Sequence, residues 1–290
     1  MRHFKEAKGI LSAHNNMNVF RGCTHGCIYC DSRSKCYQIN HDFEDIEVKV
    51  NAPELLEKTL QKKRNKCMIT TGAMCDPYIQ LEIELNHTRK CVEIIEKYGF
   101  GLAIHTKSSR IMRDIDLFKS INTKAKCVVQ MTLTTYDEDL CRIIEPSVCS
   151  TKERHKTLKF MSDEGIPTVV WLTPLLPFIN DTEENLLGVL DYCIEAKVYG
   201  IIMFSAGLTL REGNREYFYK KIDEHFPGLS KKYHQKYGYN YHIISDNNDR
   251  LMRIFYDKCR KYNIVCDNNS VFNYMHTFPD YINTEQLSLF

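Results

Sequence analysis

The sequence predicts an α/β protein: a parallel sheet of six strand–helix units, followed by a C-terminal helical extension. Three observations predict it. Short apolar runs rich in β-branched residues recur at 17–21, 67–71, 101–106, 127–134, 168–175 and 200–205. Segments with apolar residues at helical spacing separate them. The alternation is unbroken, which argues for right-handed crossovers between parallel strands. Six units fall short of the eight that close a TIM barrel.

The helices follow in order. The segment 53–63 carries Leu55, Leu56 and Leu60 and starts at Pro53, whose missing N–H costs nothing in a first turn. In 88–98, Cys91, Ile94 and Ile95 share a face, and Gly99 supplies the stop. The segment 109–121 brings Ile111, Ile115 and Phe118 together. Ser150 caps 151–164, which ends at Gly165-Ile-Pro167. The segment 181–196 opens with Asp-Thr-Glu-Glu, acidic residues that complement the positive end of a helix. Past residue 211 the pattern changes. Residues 211–263 carry twelve Lys and Arg against seven Asp and Glu, with tyrosines at 217, 219, 233, 237, 239 and 241. Helices are expected at 216–226 and 248–262. The organisation is a barrel-type region at 1–210, a helical, basic and aromatic-rich extension at 211–282, and a tail at 283–290.

With 43% hydrophobic and 26% charged residues, the 290-residue chain has an ordinary globular composition. A formal charge of +2 makes no global electrostatic case for nucleic acid. No run is long enough to span a membrane, and the first residues are polar and charged. The thirteen cysteines are therefore expected as reduced thiols in a cytoplasmic protein.

The chemistry is concentrated in Phe20-Arg-Gly-Cys-Thr-His-Gly-Cys-Ile-Tyr-Cys-Asp31. Cys23, Cys27 and Cys30 form C-x3-C-x2-C. Three thiolates on one loop can hold three irons of a 4Fe–4S cluster and leave the fourth open to a ligand. The alternatives are a zinc site completed by His25 and Cys36, or three packed thiols. Zinc loops favour C-x2-C pairs. The loop's Gly22, Thr24, His25 and Gly26 show no apolar periodicity.

This spacing, with an aromatic residue before the third cysteine, resembles the cluster loop of radical S-adenosylmethionine (radical SAM) enzymes. The similarity runs over roughly residues 18–226. Its fragments are Thr-Gly-Ala-Met-Cys-Asp-Pro-Tyr78, Thr-Lys-Ser108 with Arg-Asp114, Thr-Leu-Thr-Thr135, Ile-Glu-Pro146 with Arg154, Leu-Thr-Pro-Leu-Leu-Pro177, Leu-Arg-Glu-Gly213 and Phe-Pro-Gly-Leu229. Together they resemble the spore photoproduct lyase-like, DNA repair photolyase-related branch. The resemblance implies a partial TIM barrel, (βα)6, a 4Fe–4S cluster, S-adenosylmethionine, and an electron donor such as flavodoxin or ferredoxin.

It also implies roles. Tyr29 is similar to the aromatic that packs on the adenine of S-adenosylmethionine. Thr70, Thr71 and Gly72 end the second strand, where the superfamily meets the methionyl amine, although the usual two-glycine-and-acid form is absent. Lys107 is expected to neutralise the methionyl carboxylate. Thr132 and Thr134 resemble polar ligands for the carboxylate or ribose. Glu145 and Arg154 are expected as a buried, bracing ion pair. Spore photoproduct lyase returns a hydrogen atom from a cysteine after its second strand. Ala73 stands at that position here, which makes Cys75, two residues on, the candidate donor.

The last residues, Gln286-Leu-Ser-Leu-Phe290, resemble the peptide by which bacterial repair proteins dock on the DNA sliding clamp. Gln286 would supply amide hydrogen bonds, while Leu287, Leu289 and Phe290 fill an apolar groove. The expectation is a radical SAM enzyme acting on DNA. The alternatives are radical modification of RNA, protein or a small molecule, and a non-catalytic, metal-containing clamp-associated protein.

Overall fold

The computed structural model describes residues 2–279. The chain begins with β1 (Arg2–Lys5), β2 (Asn16–Met17), β3 (Phe20–Arg21), β4 (Ile46–Lys49), α1 (Ala52–Lys62), β5 (Met68–Thr71), α2 (Glu82–Leu85) and α3 (His87–Lys97). It continues through β6 (Gly101–Thr106), α4 (Ile115–Lys124), β7 (Cys127–Thr132), α5 (Glu138–Ile144), α6 (Thr151–Asp163), β8 (Thr168–Trp171) and α7 (Glu183–Glu195). The remainder is β9 (Gly200–Ile202), β10 (Gly207–Thr209), α8 (Asn214–His225), α9 (Leu229–Tyr237), β11 (His242–Ile244), α10 (Asn248–Lys261) and α11 (Asn268–His276).

The expected six-stranded parallel sheet is present, in the order β2-β5-β6-β7-β8-β9. It forms an open, partial barrel. Strand alternation divides its two faces. Ile69, Leu102, Ile104, Val129, Met131, Val170 and Ile201 belong to the main core, with apolar residues of α1, α3, α4, α6, α7 and α10. On the other face, Met68, Ala103, Val128, Val169 and Ile202 pack against Val271 and Met275 of α11. α11 thus closes the apolar, amino-terminal part of the barrel interior. Nearer the carboxyl ends the same face carries His105, Thr132 and Trp171.

Several segments depart from the expected boundaries. The strand expected at 17–21 is two strands in two sheets: β2 pairs with β5, while β3 runs antiparallel to β4, which in turn pairs with β1. The chain leaves the main sheet there to enter the cysteine loop. The helix expected at 109–121 opens as a 3-10 turn, Ser109–Asp114, before α4. Asp114 is fully buried, accepting from Tyr78 Oη at 2.8 Å and pairing with Arg89 at 2.8 Å. The run 168–175 stops at Trp171; Pro174 beyond it has no N–H for a ladder. β10 and β11 form an antiparallel pair that spans the expected boundary at 210. No helix among the described residues is long and apolar enough to cross a membrane.

Candidate active site at the barrel mouth

Cys23, Cys27 and Cys30 line one pocket at the carboxyl ends of β5 and β6, with His25, Tyr29, Gly72, Cys75, Asp76, His105 and Lys107. All three are free thiols, Cys23 and Cys27 buried and Cys30 partly so. Backbone bonds fasten their loop at both ends: Cys23 N donates to Phe43 O and Ile28 N to Ile144 O, each at 3.0 Å. Gly72 is required by geometry. Its φ is +99°, and a Cβ there would lie 1.9 Å from the His105 carbonyl oxygen.

Asp76 ties the pocket together. Its Oδ1 accepts from Tyr78 N at 2.8 Å and Thr106 Oγ1 at 2.7 Å, and its Oδ2 from Lys107 N at 2.6 Å. His25 Nδ1 lies 3.4 Å from the same carboxylate. Cys75 and His25 both reach Cys23. The hydrogen bond from Cys75 holds the Cys23 thiol well below its ordinary pKa, with His25 assisting and burial opposing. Burial instead pushes the Cys27 thiol up.

The expected ion pair is present. Arg154 and Glu145, 0% and 1% exposed, meet at 2.5 Å. Glu145 also accepts from the Tyr29 hydroxyl, and Arg154 Nη1 donates to Thr132 O at 2.8 Å. Burial opposes ionisation of Glu145, but Arg154 and Lys107 outweigh it and keep its pKa below the ordinary value. The pair therefore fixes the Tyr29 ring, with Lys107 Nζ 5.9 Å from its centroid. Burial likewise works against the Lys107 ammonium, yet Cys27, Glu145 and Cys30 hold its pKa up.

A larger cleft of about 560 Å³ continues from the pocket. Tyr29, Cys30, Ala73, His105, Lys107 and Thr132 line its near side; Trp171, Phe204, Leu208 and the β11 residues line the far side. Thr132 Oγ1 lies 2.8 Å from His105 Nε2. Thr134 is not brought to this surface. It is fully buried, its hydroxyl facing Thr135 Oγ1 at 3.4 Å and its carbonyl accepting from Asn180 and Asn185. The chain has already turned inward after β7 ends at Thr132. Cys75 lines the smaller pocket but is not among the residues of the larger cleft, whereas Ala73 lines both. The zinc alternative loses its ligands: Cys36 is exposed with Arg211 Nη1 at 3.5 Å, and His25 is engaged with Asp76. Asp76, His105, Trp171 and Phe204 were not singled out from sequence for the site. The inward parity of His105 and Trp171 on their strands was the available signal.

A model of the radical SAM superfamily matches residues 17–190. The chain belongs to the radical SAM superfamily. An uncharacterized protein of Methanocaldococcus jannaschii is 30% identical over 169 residues, 58% of this chain. Another, from Mycobacterium tuberculosis strain H37Rv, is 26% identical over 227 residues, 76% of this chain. The chain spans 62% of the length of the first and 66% of the second. The fold is similar to spore photoproduct lyase complexed with dinucleoside spore photoproduct, with a TM-score of 0.61 over 90% of this chain and 78% of that one. A point mutant of that lyase gives 0.60 over 86% and 74%. At 13% identity, both speak to the fold.

Radical SAM enzymes use a 4Fe–4S cluster and S-adenosylmethionine. The site fits them: three free thiols share one pocket with the half-buried Lys107, and an open cleft lies beside it.

Proposed function

We propose that this radical SAM enzyme acts on nucleic acid, in a repair-related reaction on DNA. The observation that carries the reading is the continuity of the cysteine pocket with a cleft whose far side is aromatic and apolar and takes His242, Ile243 and Ile244 from the 211–263 region. Spore photoproduct lyase, whose complex holds a dinucleoside photoproduct, shares the fold and supports the reading.

Cys23, Cys27 and Cys30 would hold the cluster as thiolates. Bound cluster and S-adenosylmethionine together supply one-electron cleavage of a carbon–sulfur bond and a primary carbon radical. Lys107, raised into the site by the Asp76 bond to its backbone, offers a cation for the methionyl carboxylate. Gly72 brings backbone close beside it. Tyr29, pinned by Glu145, presents a ring whose orientation is set before any ligand arrives. Thr132 and His105 supply uncharged hydrogen-bonding groups for a ribose. Cys75, set against Cys23 rather than in the cleft, is poorly placed to return hydrogen to a product.

The test is 5′-deoxyadenosine formation by anaerobically reconstituted protein, with reductant, with and without UV-irradiated DNA. Stimulation by the irradiated DNA supports the reading; turnover indifferent to any DNA sinks the substrate assignment. Gln286, Leu287, Leu289 and Phe290 lie outside the described residues. Clamp docking is proposed on their sequence. Deleting 286–290 is expected to abolish sliding-clamp binding in a pull-down while leaving 5′-deoxyadenosine yield unchanged; retained binding rejects the tail's role.

A further inference from the structure

From Trp171 outward, the far wall of the cleft is aromatic, and the chemistry described so far does not use it. His105 stacks on Trp171 with centroids 5.3 Å apart. Phe272, from α11, meets Trp171 edge-on at 5.7 Å, and Phe204 lies 6.4 Å from Trp171 and 6.3 Å from Phe272. Trp171 Nε1 donates to Gln130 Oε1 at 2.9 Å, which fixes the indole plane. The ladder begins inside the barrel and ends in Phe204, a phenyl ring left 57% exposed on the cleft lip.

A second apolar side chain reaches the same cleft. Ile244 of β11 is 48% exposed. It is brought there by the β10–β11 pair, in which Gly207 opposes Ile244. That approach needs a glycine, because a Cβ on Gly207 would lie 2.1 Å from Ile243 O. Exposed apolar groups this large, clustered on a concave surface, mark a binding site. Among the described residues, the far side of the cleft carries no carboxylate, ammonium or guanidinium group. The nearby arginines of this region are held by the protein itself: Arg211 by Tyr241 Oη at 2.8 Å, and Arg215 by the carbonyls of Leu210, Tyr239 and Asn240.

We infer that Phe204 and Ile244 form the substrate-reading lip of the cleft, receiving an unpaired nucleobase whose ring stacks on Phe204. This inference rests on the nucleic-acid reading above and specifies it. An apolar, aromatic wall suits the face of a planar heterocycle.

Trp171 is the chain's single tryptophan, so its emission reports on the ladder directly. The full-length, cluster-loaded protein is titrated anaerobically with thymidylyl-thymidine. S-adenosylmethionine is kept saturating, so that its own adenine site is filled. Saturable change in emission is expected. Phe204→Leu, which keeps bulk but removes the ring, should weaken the apparent affinity about tenfold, while Phe204→Tyr should retain it. Because the ring is exposed, neither change threatens the core. Unchanged affinity in Phe204→Leu overturns the inference and leaves the nucleic-acid reading standing. So does equal binding of the abasic sugar-phosphate dinucleotide. Absence of any response to thymidylyl-thymidine, or preference for an aromatic tripeptide, overturns both.

Discussion

The near and far halves of the barrel mouth are built differently. On the near side, between the cysteine loop and β7, charge is buried and accounted for. Asp76 accepts three hydrogen bonds and faces His25, while Glu145, Arg154 and Tyr29 close a network without exposed members. On the far side, from Trp171 to Ile244, the wall is aromatic and aliphatic, and its outermost groups stand in solvent. Buried networks cost several kcal/mol when half-satisfied, so they specify one geometry and tolerate little change. Exposed apolar side chains specify little by themselves and are free to complement a ligand. The contrast is in line with the proposal that the near side holds the cofactor and the far side chooses the substrate.

The comparison is broken most sharply at the thiols. Replacing Cys23, Cys27 or Cys30 with Ala is expected to eliminate cluster iron and its visible absorbance, while Cys75→Ala retains both. Iron analysis that shows Cys75 indispensable would place a fourth cysteine among the ligands and close the open iron. Next in size, Arg154→Met leaves Glu145 buried without its partner, at a cost of about 3–5 kcal/mol in denaturant unfolding. The double variant with Glu145→Gln should recover part of that loss. If the single change proves silent, the near side is not the rigid half.

Lys107→Met removes a charge-assisted contact of about 1.5–3 kcal/mol. Equilibrium dialysis should then show S-adenosylmethionine bound ten- to a hundredfold more weakly, about the same range expressed as affinity, at unchanged iron content. The smallest effect concerns His105. Burial, with the Lys107 cation adding to it, lowers its pKa to about 3. The unfolded chain takes up a proton on this ring below about pH 6.5 and the folded chain does not. The contribution is therefore complete above about pH 6.5 and is lost progressively as pH falls toward 3. Histidine NMR should show the His105 ring neutral at pH 5; a His105 signal titrating near 6.5 would reject it as an uncharged group for the ribose.

Periodicity made the six parallel strands legible because each is half of a strand–helix unit whose apolar pattern is local. The expected β6, 101–106, coincides with the observed strand, and most helices agree within two residues. What escaped lay in long-range pairing. β1, β4 and β10 are short, with no pattern to distinguish them from loop, and they exist through partners as distant as residue 244. α11 shows only a modest apolar face and is settled by the barrel interior it covers. In the site, the cysteine spacing alone pointed to cluster chemistry, since the ligands of one loop are neighbours in sequence. Thr134 looked equivalent to Thr132, but where β7 ends decided which of them meets the cleft.

The sequence by itself determined the strand–helix alternation, the three-thiol loop and the buried pairing of Glu145 with Arg154. The first two follow from local spacing, and the third was implied by the family resemblance. Only the tertiary structure placed Asp76 under Lys107, set Cys75 against Cys23, and gathered His105, Trp171 and Phe204 from three different strand ends. Such contacts join residues far apart in the chain, and their geometry comes from the closing of the barrel rather than from any short stretch of residues.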